Sequence, residues 1–341
     1  MVTRQDAIND ALARLKGIEF TMEPGFSEHG PMVAEAISSL GRNDRIAPWV
    51  DRYIAHYRHV AAPPLHEPID GADEGAWRGA LGDVARLSDW FAYFRVALSE
   101  APWQDTIRTW VPRLLDGYIG GLTHGLLRTS HAVRALPEGG EPSALQRDEL
   151  ARGLAYWAGS FARLPGDPDL HGTKRLDEAL DALPRGPGAA IATTVESLAA
   201  TENADDALSR HTATFARVLL THGELAMVPQ IQLVHTITAA ASLRTLLPFF
   251  PPAFGAWVYR RAWQGSASIV SRMARPRPRE TDPEIPAPKL DRDELIDRAI
   301  AHRDDHVLKL TEACLSEDRR RPDPVYRALA EAIPHRIPAW T

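Results

Sequence analysis

The chain has 341 residues, of which 44% are hydrophobic and 25% charged, an ordinary globular composition with enough apolar material for a core. Its net charge of −6 argues against a surface that binds phosphate backbones, and the single cysteine, Cys314, excludes a disulfide framework. The N-terminus lacks the apolar stretch of a secretion signal, and the most apolar segment is too short to span a bilayer. We therefore expect a cytoplasmic protein that binds neither nucleic acid nor membrane.

Apolar residues recur with helical spacing along the chain, and alternation typical of strands is hard to find. The N-terminal segment is predicted to be an amphipathic helix. Further helices are predicted at about residues 31–40, 48–60, 84–100, 103–116, 117–136, 147–163, 190–202, 204–222, 224–247, 253–274, 291–317 and 323–333. We expect an all-α multi-helix bundle, with no sheet of more than two short strands.

A proline-rich segment, residues 276–290, precedes the C-terminal helices. It contains five prolines and is predicted to be an extended linker. We interpret residues 1–341 as a single α-helical domain with this linker inside it, although the pattern also allows two domains. The chain has no phosphate-binding loop, no dinucleotide fingerprint and no zinc-protease or serine-hydrolase motif, which argues against these enzyme classes.

The first group of candidate site residues lies in the predicted helix 117–136. His124 and His131 are seven residues apart, so they differ by about 20° around a helix, and Arg128 lies between them on the same face. Three glycines between residues 120 and 125 would let another backbone or a planar ligand approach closely. The alternative interpretation is two core histidines bonded to carbonyl groups.

The second group lies in the predicted helix 291–317. His302, His306 and Lys309 follow the i, i+4, i+7 spacing on a stripe that normally faces a core. Lysine is rare in this chain, with four among 39 basic residues, and an unpaired buried ammonium is costly. Alternatively the stripe is partly exposed, with Lys309 reaching solvent or pairing with a carboxylate such as Glu312 or Asp305.

Three further histidines stand alone. His235 sits in an apolar run, where a satisfied core residue is the common alternative, and His222 ends a predicted helix, where the helix dipole favours it. His29 lies in the turn before Pro31, where surface histidines are frequent.

Together these segments offer several imidazoles and one lysine on separate helices. Imidazole nitrogen suits iron, zinc, copper or nickel, and the scarcity of cysteine favours a catalytic over a structural site. An all-imidazole shell leaves the charge of a divalent ion uncompensated. A buried, neutral Lys309 that adds carbon dioxide would supply an anionic carbamate oxygen.

Five segments, in this order along the chain, form a recognisable set. They are Phe26-x-x-His29-x-Pro31-Met32, Gly120-Gly121-x-x-His124 through Arg128 and His131, Leu233-Val234-His235-x-x-Thr238, Asp305-His306-x-x-Lys309-x-x-Glu312, and Asp323-Pro-x-Tyr326. At these segments the chain resembles the questin oxidase-like family, helical oxygenases of aromatic polyketide metabolism. The segments span residues 26–326, which is almost the whole chain.

The resemblance implies Baeyer–Villiger-like oxidation or ring cleavage of an anthraquinone-type polyketide without a flavin domain. We therefore expect a non-haem Fe(II) centre that uses O2 as co-substrate, with an external reductant such as NADPH as one option. The residues that the resemblance selects for the metal site are His29, His124, His235, His306 and Lys309, and the charge argument above makes Lys309 a carbamate ligand.

Some family members carry a second histidine where this chain has Arg128, which leaves the ligand count open. His131 could take that place, or Arg128 could bind an anionic oxygen of the substrate. We assign acid–base or supporting roles to His131 and His222. Two rival functions remain: a cofactor-independent oxygenase with a histidine base, and a non-catalytic protein that binds an aromatic metabolite. The oligomeric state stays open.

Overall fold

Helices form most of the described chain, which confirms the all-α prediction, and they fall into two compact units, residues 1–163 and 164–341. The computed structural model describes residues 2–340 except 24–25, 167–168, 185–194, 202 and 274–283. Of the predicted linker, residues 276–283 lie outside the described residues, and 284–290 form neither helix nor strand. The interpretation of the chain as a single domain stays a prediction.

The first unit contains eight helices among its described residues. They are α1 (Arg4–Arg14), α2 (Gly30–Ser39), α3 (Ile46–His56), α4 (Glu74–Gly79), α5 (Leu87–Glu100), α6 (Trp103–Leu114), α7 (His124–Ala135) and α8 (Ala144–Gly159). Local capping explains several of their starts. Thr3 accepts a hydrogen bond from the backbone N–H of Asp6, and Ser143 and Gln146 form a reciprocal capping box at α8.

A small antiparallel sheet also belongs to the first unit. Its strands, β1 (Thr21–Met22), β2 (Phe26–Ser27) and β3 (His59–Val60), lie in the order β2-β1-β3. Met22 pairs with Phe26 on one side and with His59 on the other. The predicted limit of two strands was wrong by one, because two-residue strands are too short to show a period-2 pattern.

Helices α7 and α8 approach each other closely because a glycine removes the side chain at their contact. A Cβ atom on Gly125 would lie 2.4 Å from the Cα of Trp157 in α8. Just before α7, a Cβ on Gly120 would lie 2.2 Å from the carbonyl oxygen of Ser160. Of the two uses predicted for these glycines, the close approach of another backbone is confirmed at both positions.

The second unit contains seven helices among its described residues. They are α9 (Leu176–Asp181), α10 (Ala204–Thr221), α11 (Met227–Leu246), α12 (Pro252–Met273), α13 (Arg292–His302), α14 (Asp305–Arg320) and α15 (Pro324–Ala332). The side chains of Asn203, Asp291, Asp304 and Asp323 cap α10, α13, α14 and α15, so short polar residues define these starts.

Three predicted helices differ from the structure. The helix predicted over 291–317 is two helices, because Arg303 has a φ of +61° and ends α13 in the left-handed region. The helix predicted over 117–136 begins only at His124. In the predicted helix 190–202, residues 190–194 lie outside the described residues, and 196–201 form turns, bridges and coil.

The two six-residue helices, α4 and α9, were not predicted, since segments this short carry little periodic signal. Over the residues that the structure describes, no helix has the length and hydropathy needed to cross a membrane.

Candidate metal centre

In the first unit, His29 and His124 form a buried imidazole pair. Their Nε2 atoms lie 2.7 Å apart, and the rings stack at 17° with centroids 4.7 Å apart. His29 immediately precedes α2, and its backbone N–H donates to the Tyr53 hydroxyl at 2.9 Å. The pair joins residues 95 positions apart in sequence. The turn histidine is therefore buried, and its surface alternative is wrong.

A left-handed turn sets the orientation of His124. Gly121, Leu122 and Thr123 have φ values of +54°, +53° and +69°, a conformation that costs about 1–2 kcal/mol for each residue with a side chain. The turn places the carbonyl oxygen of Gly121 2.6 Å from His124 Nδ1. Because a carbonyl only accepts, Nδ1 carries the proton, and the lone pair of His124 lies on Nε2, the atom that faces His29.

Arg128, one turn further along α7, is fully buried in an internal ion pair. Its Nε and one Nη donate to the two oxygens of Glu149 at 2.7 and 2.9 Å, and the other Nη donates to the Glu19 carbonyl at 2.8 Å. Burial acts to lower the pKa of Arg128, but the charge and hydrogen bonds of Glu149 outweigh it and raise that pKa. The predicted substrate contact of Arg128 stays a prediction.

His131 belongs to a different cluster from His124, although both lie on α7. Its Nδ1 bonds to Glu35 of α2 at 2.7 Å, and Arg134 and Arg4 donate to the same carboxylate. A cavity of about 10 Å³ lies beside His131 and Arg128, which is room for about one water molecule. An aromatic substrate does not fit this cavity.

In the second unit, α11 and α14 bring His235 and His306 together. The ring centroids lie 5.7 Å apart and the planes meet at 73°. His235 is buried in the middle of α11, and His306 is in the first turn of α14, where Asp304 caps the helix by accepting from the Val307 N–H at 2.9 Å. These two predicted ligands therefore lie side by side within one unit.

Two aspartates that we did not predict as ligands accompany His306. One ligand atom from each of Asp304, Asp305 and His306 falls within 4.8 Å of the others, and His306 Nδ1 lies 3.0 Å from Asp305 Oδ1. Burial, followed by the charge of Asp305, raises the pKa of Asp304 to about 6. In the sequence, the signal for these residues is the acidic pair directly before His306.

Lys309 is buried beside these acids, with only 2% of its surface exposed. Its Nζ has no hydrogen-bond partner among the described residues. Burial lowers the pKa of Lys309, although the charges of Asp305 and Asp304 act against that shift. The alternative of a solvent-exposed lysine is wrong. The charge of Asp305 acts on Lys309, but Nζ forms no hydrogen bond with it.

His302 does not share a helix with His306, so the predicted stripe of three basic residues is wrong. It lies on α13, before the break at Arg303, and its Nε2 bonds to the Ile337 carbonyl at 2.7 Å. His222 follows α10, and its Nδ1 bonds to the Val218 carbonyl at 2.7 Å. Both contacts are those of structural histidines, and the catalytic role predicted for His222 stays a prediction.

The structure thus groups His29 with His124 in one unit, and His235 with His306 in the other, where Lys309 lies on the same helix as His306. The prediction that these five residues share one ion stays a prediction. Within the second unit, the carboxylates of Asp304 and Asp305 supply negative charge, which a shell of imidazoles alone lacks. No family model matches the chain, and no curated protein matches it either.

Proposed function

We propose that the protein is a non-haem metal-dependent oxygenase, similar to the questin oxidase-like family. Its proposed reaction is Baeyer–Villiger-like oxidation or ring cleavage of an anthraquinone-type aromatic polyketide, with O2 as co-substrate. The observation that carries this proposal is the buried His29–His124 pair, in which the Gly121 carbonyl holds His124 in the tautomer that a metal requires.

The imidazole pair fits an ion. Two nitrogen ligands about 2.1 Å from one ion and at right angles to each other lie about 3 Å apart. The Nε2 atoms of His29 and His124 are 2.7 Å apart, so the rings need to separate by only a few tenths of an ångström. Without an ion, the same spacing permits an N–H···N hydrogen bond, which keeps the pair together.

The second unit offers the donor types that Fe(II) accepts. His235 and His306 provide imidazole nitrogen, and carboxylate oxygen is available from Asp304 and Asp305. Histidine–carboxylate sets with open positions are typical of non-haem Fe(II) oxygenases. Such an ion would supply the one-electron chemistry with O2 that amino-acid side chains lack, and an external reductant such as NADPH belongs to the same proposal.

Lys309 is the proposed source of a further anionic ligand. Burial lowers the pKa of Lys309, which increases the share of its neutral amine, the form that can attack carbon dioxide. A bond forms between Nζ and the carbon of CO2, the electron pair of one C=O π bond moves onto oxygen, one N–H proton passes to water, and the product is a carbamate. The prediction is extra electron density for a carboxyl group on the Lys309 side chain, within ligand distance of the metal, with loss of activity in Lys309→Ala and partial rescue by small carboxylates. An active Lys309→Arg variant would contradict it.

Elemental analysis of protein purified without a metal-affinity column tests the metal centre. We expect stoichiometric iron in the wild type and its loss in His124→Ala and in His306→Ala. His66→Ala and His171→Ala, which change exposed histidines, are the matched controls and should keep the metal. Full metal retention in both site variants contradicts the proposal, and partial loss in each points to separate ions.

Oxygen uptake with a polyphenolic substrate separates the rival functions. Uptake that requires iron supports the proposal. Uptake by metal-free protein favours a cofactor-independent oxygenase with a histidine base. Binding of the aromatic compound without uptake, in iron-loaded protein supplied with NADPH, favours a non-catalytic binding protein.

A further inference from the structure

His29, the residue directly before helix α2, does not cap this helix with its side chain. The residue before a helix commonly accepts a backbone N–H with its own side chain, but His29 makes no such bond. Its Nε2 lies instead against His124. The capping role passes to the preceding residue, because Glu28 Oε1 accepts from the Gly30 N–H at 2.9 Å.

Glu28 is itself held by a histidine from another element. Its side chain is fully buried, and its second oxygen, Oε2, lies 3.0 Å from Nδ1 of His59. His59 is in β3, which pairs with β1 at Met22. The Nε2 of His59 is buried without a hydrogen-bond partner among the described residues, so the bond to Glu28 fixes this ring.

Two further contacts make this arrangement tight. Tyr53, whose ring centroid lies 5.9 Å from that of His59, accepts the His29 N–H with its hydroxyl at 2.9 Å. A Cβ on Gly30 would lie 2.9 Å from Glu28 Oε1 and 2.7 Å from a methyl group of Leu15, so a larger residue there would displace these side chains. The backbone N–H groups of residues 29 and 30 are therefore both satisfied by side chains other than that of His29.

We propose that Glu28 and His59 are positioning residues of the metal centre. Glu28 accepts the Gly30 N–H in place of His29, and the His29 imidazole faces His124 instead. This inference rests on the proposed metal site, but it also predicts a property of the metal-free protein: the alignment of the two imidazoles depends on His59.

The test compares His59→Leu, which removes the bond to Glu28, with His59→Asn, whose amide nitrogen can take the place of Nδ1. In metal-free protein, nitrogen NMR of the rings should show one proton shared between His29 and His124. We expect this signal to disappear in His59→Leu and to return in His59→Asn. His66→Leu, at an exposed histidine of the same unit, should leave it unchanged.

Titration with Co2+, followed by visible absorption, provides the second readout. Loss of a residue that orients a ligand typically weakens metal binding 10–100-fold, and we expect this loss with an altered spectrum in His59→Leu. His59→Asn should bind Co2+ nearly as the wild type does. A purely structural role of His59 would lower the melting temperature but leave the spectrum and affinity of folded protein unchanged.

The outcomes separate the two proposals. A shared-proton signal that persists in folded His59→Leu overturns the positioning role whether or not metal binds. Wild-type protein that shows the signal but does not bind Co2+ contradicts the metal centre and leaves the positioning of the imidazoles intact. If His59→Leu does not fold, Glu28→Gln replaces it, because glutamine keeps the oxygen that accepts from Gly30 while losing the charge facing His59.

Discussion

Two buried charge clusters, one in each unit, differ in how their charges are satisfied. In the first unit, Glu35 accepts hydrogen bonds from His131, Arg134 and Arg4, and also from Ser39. In the second unit, buried Lys309 lies near Asp304 and Asp305, yet its Nζ has no hydrogen-bond partner among the described residues.

The pKa shifts run in opposite directions. Burial alone would raise the pKa of Glu35, but Arg134, His131 and Arg4 hold it well below its ordinary value, so the charged form is favoured. In the second unit, burial shifts the pKa values of Asp304 and Lys309 toward the neutral forms. The first cluster therefore stabilises the fold, whereas the second retains a cost that a bound ligand or ion could remove.

The largest effect that we predict is in Glu35→Gln. Breaking a buried ion pair typically costs 3–5 kcal/mol, and since Arg4 and Arg134 are partly exposed, we expect about 3 kcal/mol less free energy of unfolding. Urea denaturation at pH 7 measures it. Glu74→Gln, at an exposed pair with Arg78, is the matched control and should change stability by less than about 0.5 kcal/mol.

The pH dependence sharpens this prediction. Because the folded pKa of Glu35 lies below the unfolded value of 4.5, its contribution is present above pH 4.5 and is lost as the pH falls below it. Glu35→Gln should therefore lose less stability on acidification than the wild type. An equal loss in both proteins would mean that Glu35 is not the group responsible.

The next largest effect is expected in Asp304→Asn, measured in metal-free protein. The folded pKa of about 6 exceeds the unfolded value of 3.8, so wild-type stability should fall as the pH rises from about 4 to 6. Asparagine caps α14 equally well without the charge, and we expect a gain of about 2 kcal/mol at pH 7.

Asp291→Asn is the matched control, since Asp291 caps α13 at an exposed position. Its unfolding free energy should change by less than about 0.5 kcal/mol. A loss of stability in Asp304→Asn at pH 7 would show that the second cluster is satisfied, and the contrast between the units would disappear.

The smallest effect is expected in Lys309→Met. Replacing a buried amine that has no hydrogen-bond partner among the described residues by an apolar side chain of similar length should stabilise the metal-free protein by about 1 kcal/mol at pH 7. Because burial lowers the folded pKa, wild-type stability should also rise as the pH increases toward 10.5, and the variant should lack this component. Lys16→Met, at an exposed lysine, should show neither change.

Sequence periodicity predicted most of the longer helices, but two left-handed turns interrupted the predicted pattern. Leu122 and Thr123 adopt a left-handed conformation that their side chains disfavour, and Arg303 does the same between α13 and α14. No propensity predicts these positions, since tertiary contacts must hold them. The first turn shortened the helix that carries His124, and the second placed His302 on a different helix from His306.

The sequence alone determined the all-α class and the identity of most candidate ligands, because helical periodicity and residue chemistry are local properties. Only the tertiary structure decided which side chains meet. His29 reaches His124 across 95 residues, and Glu35 reaches His131 across 96, so packing rather than sequence spacing sets these contacts. For the same reason, the contact between Glu28 and His59 follows only from the tertiary structure, because it joins residues 31 positions apart.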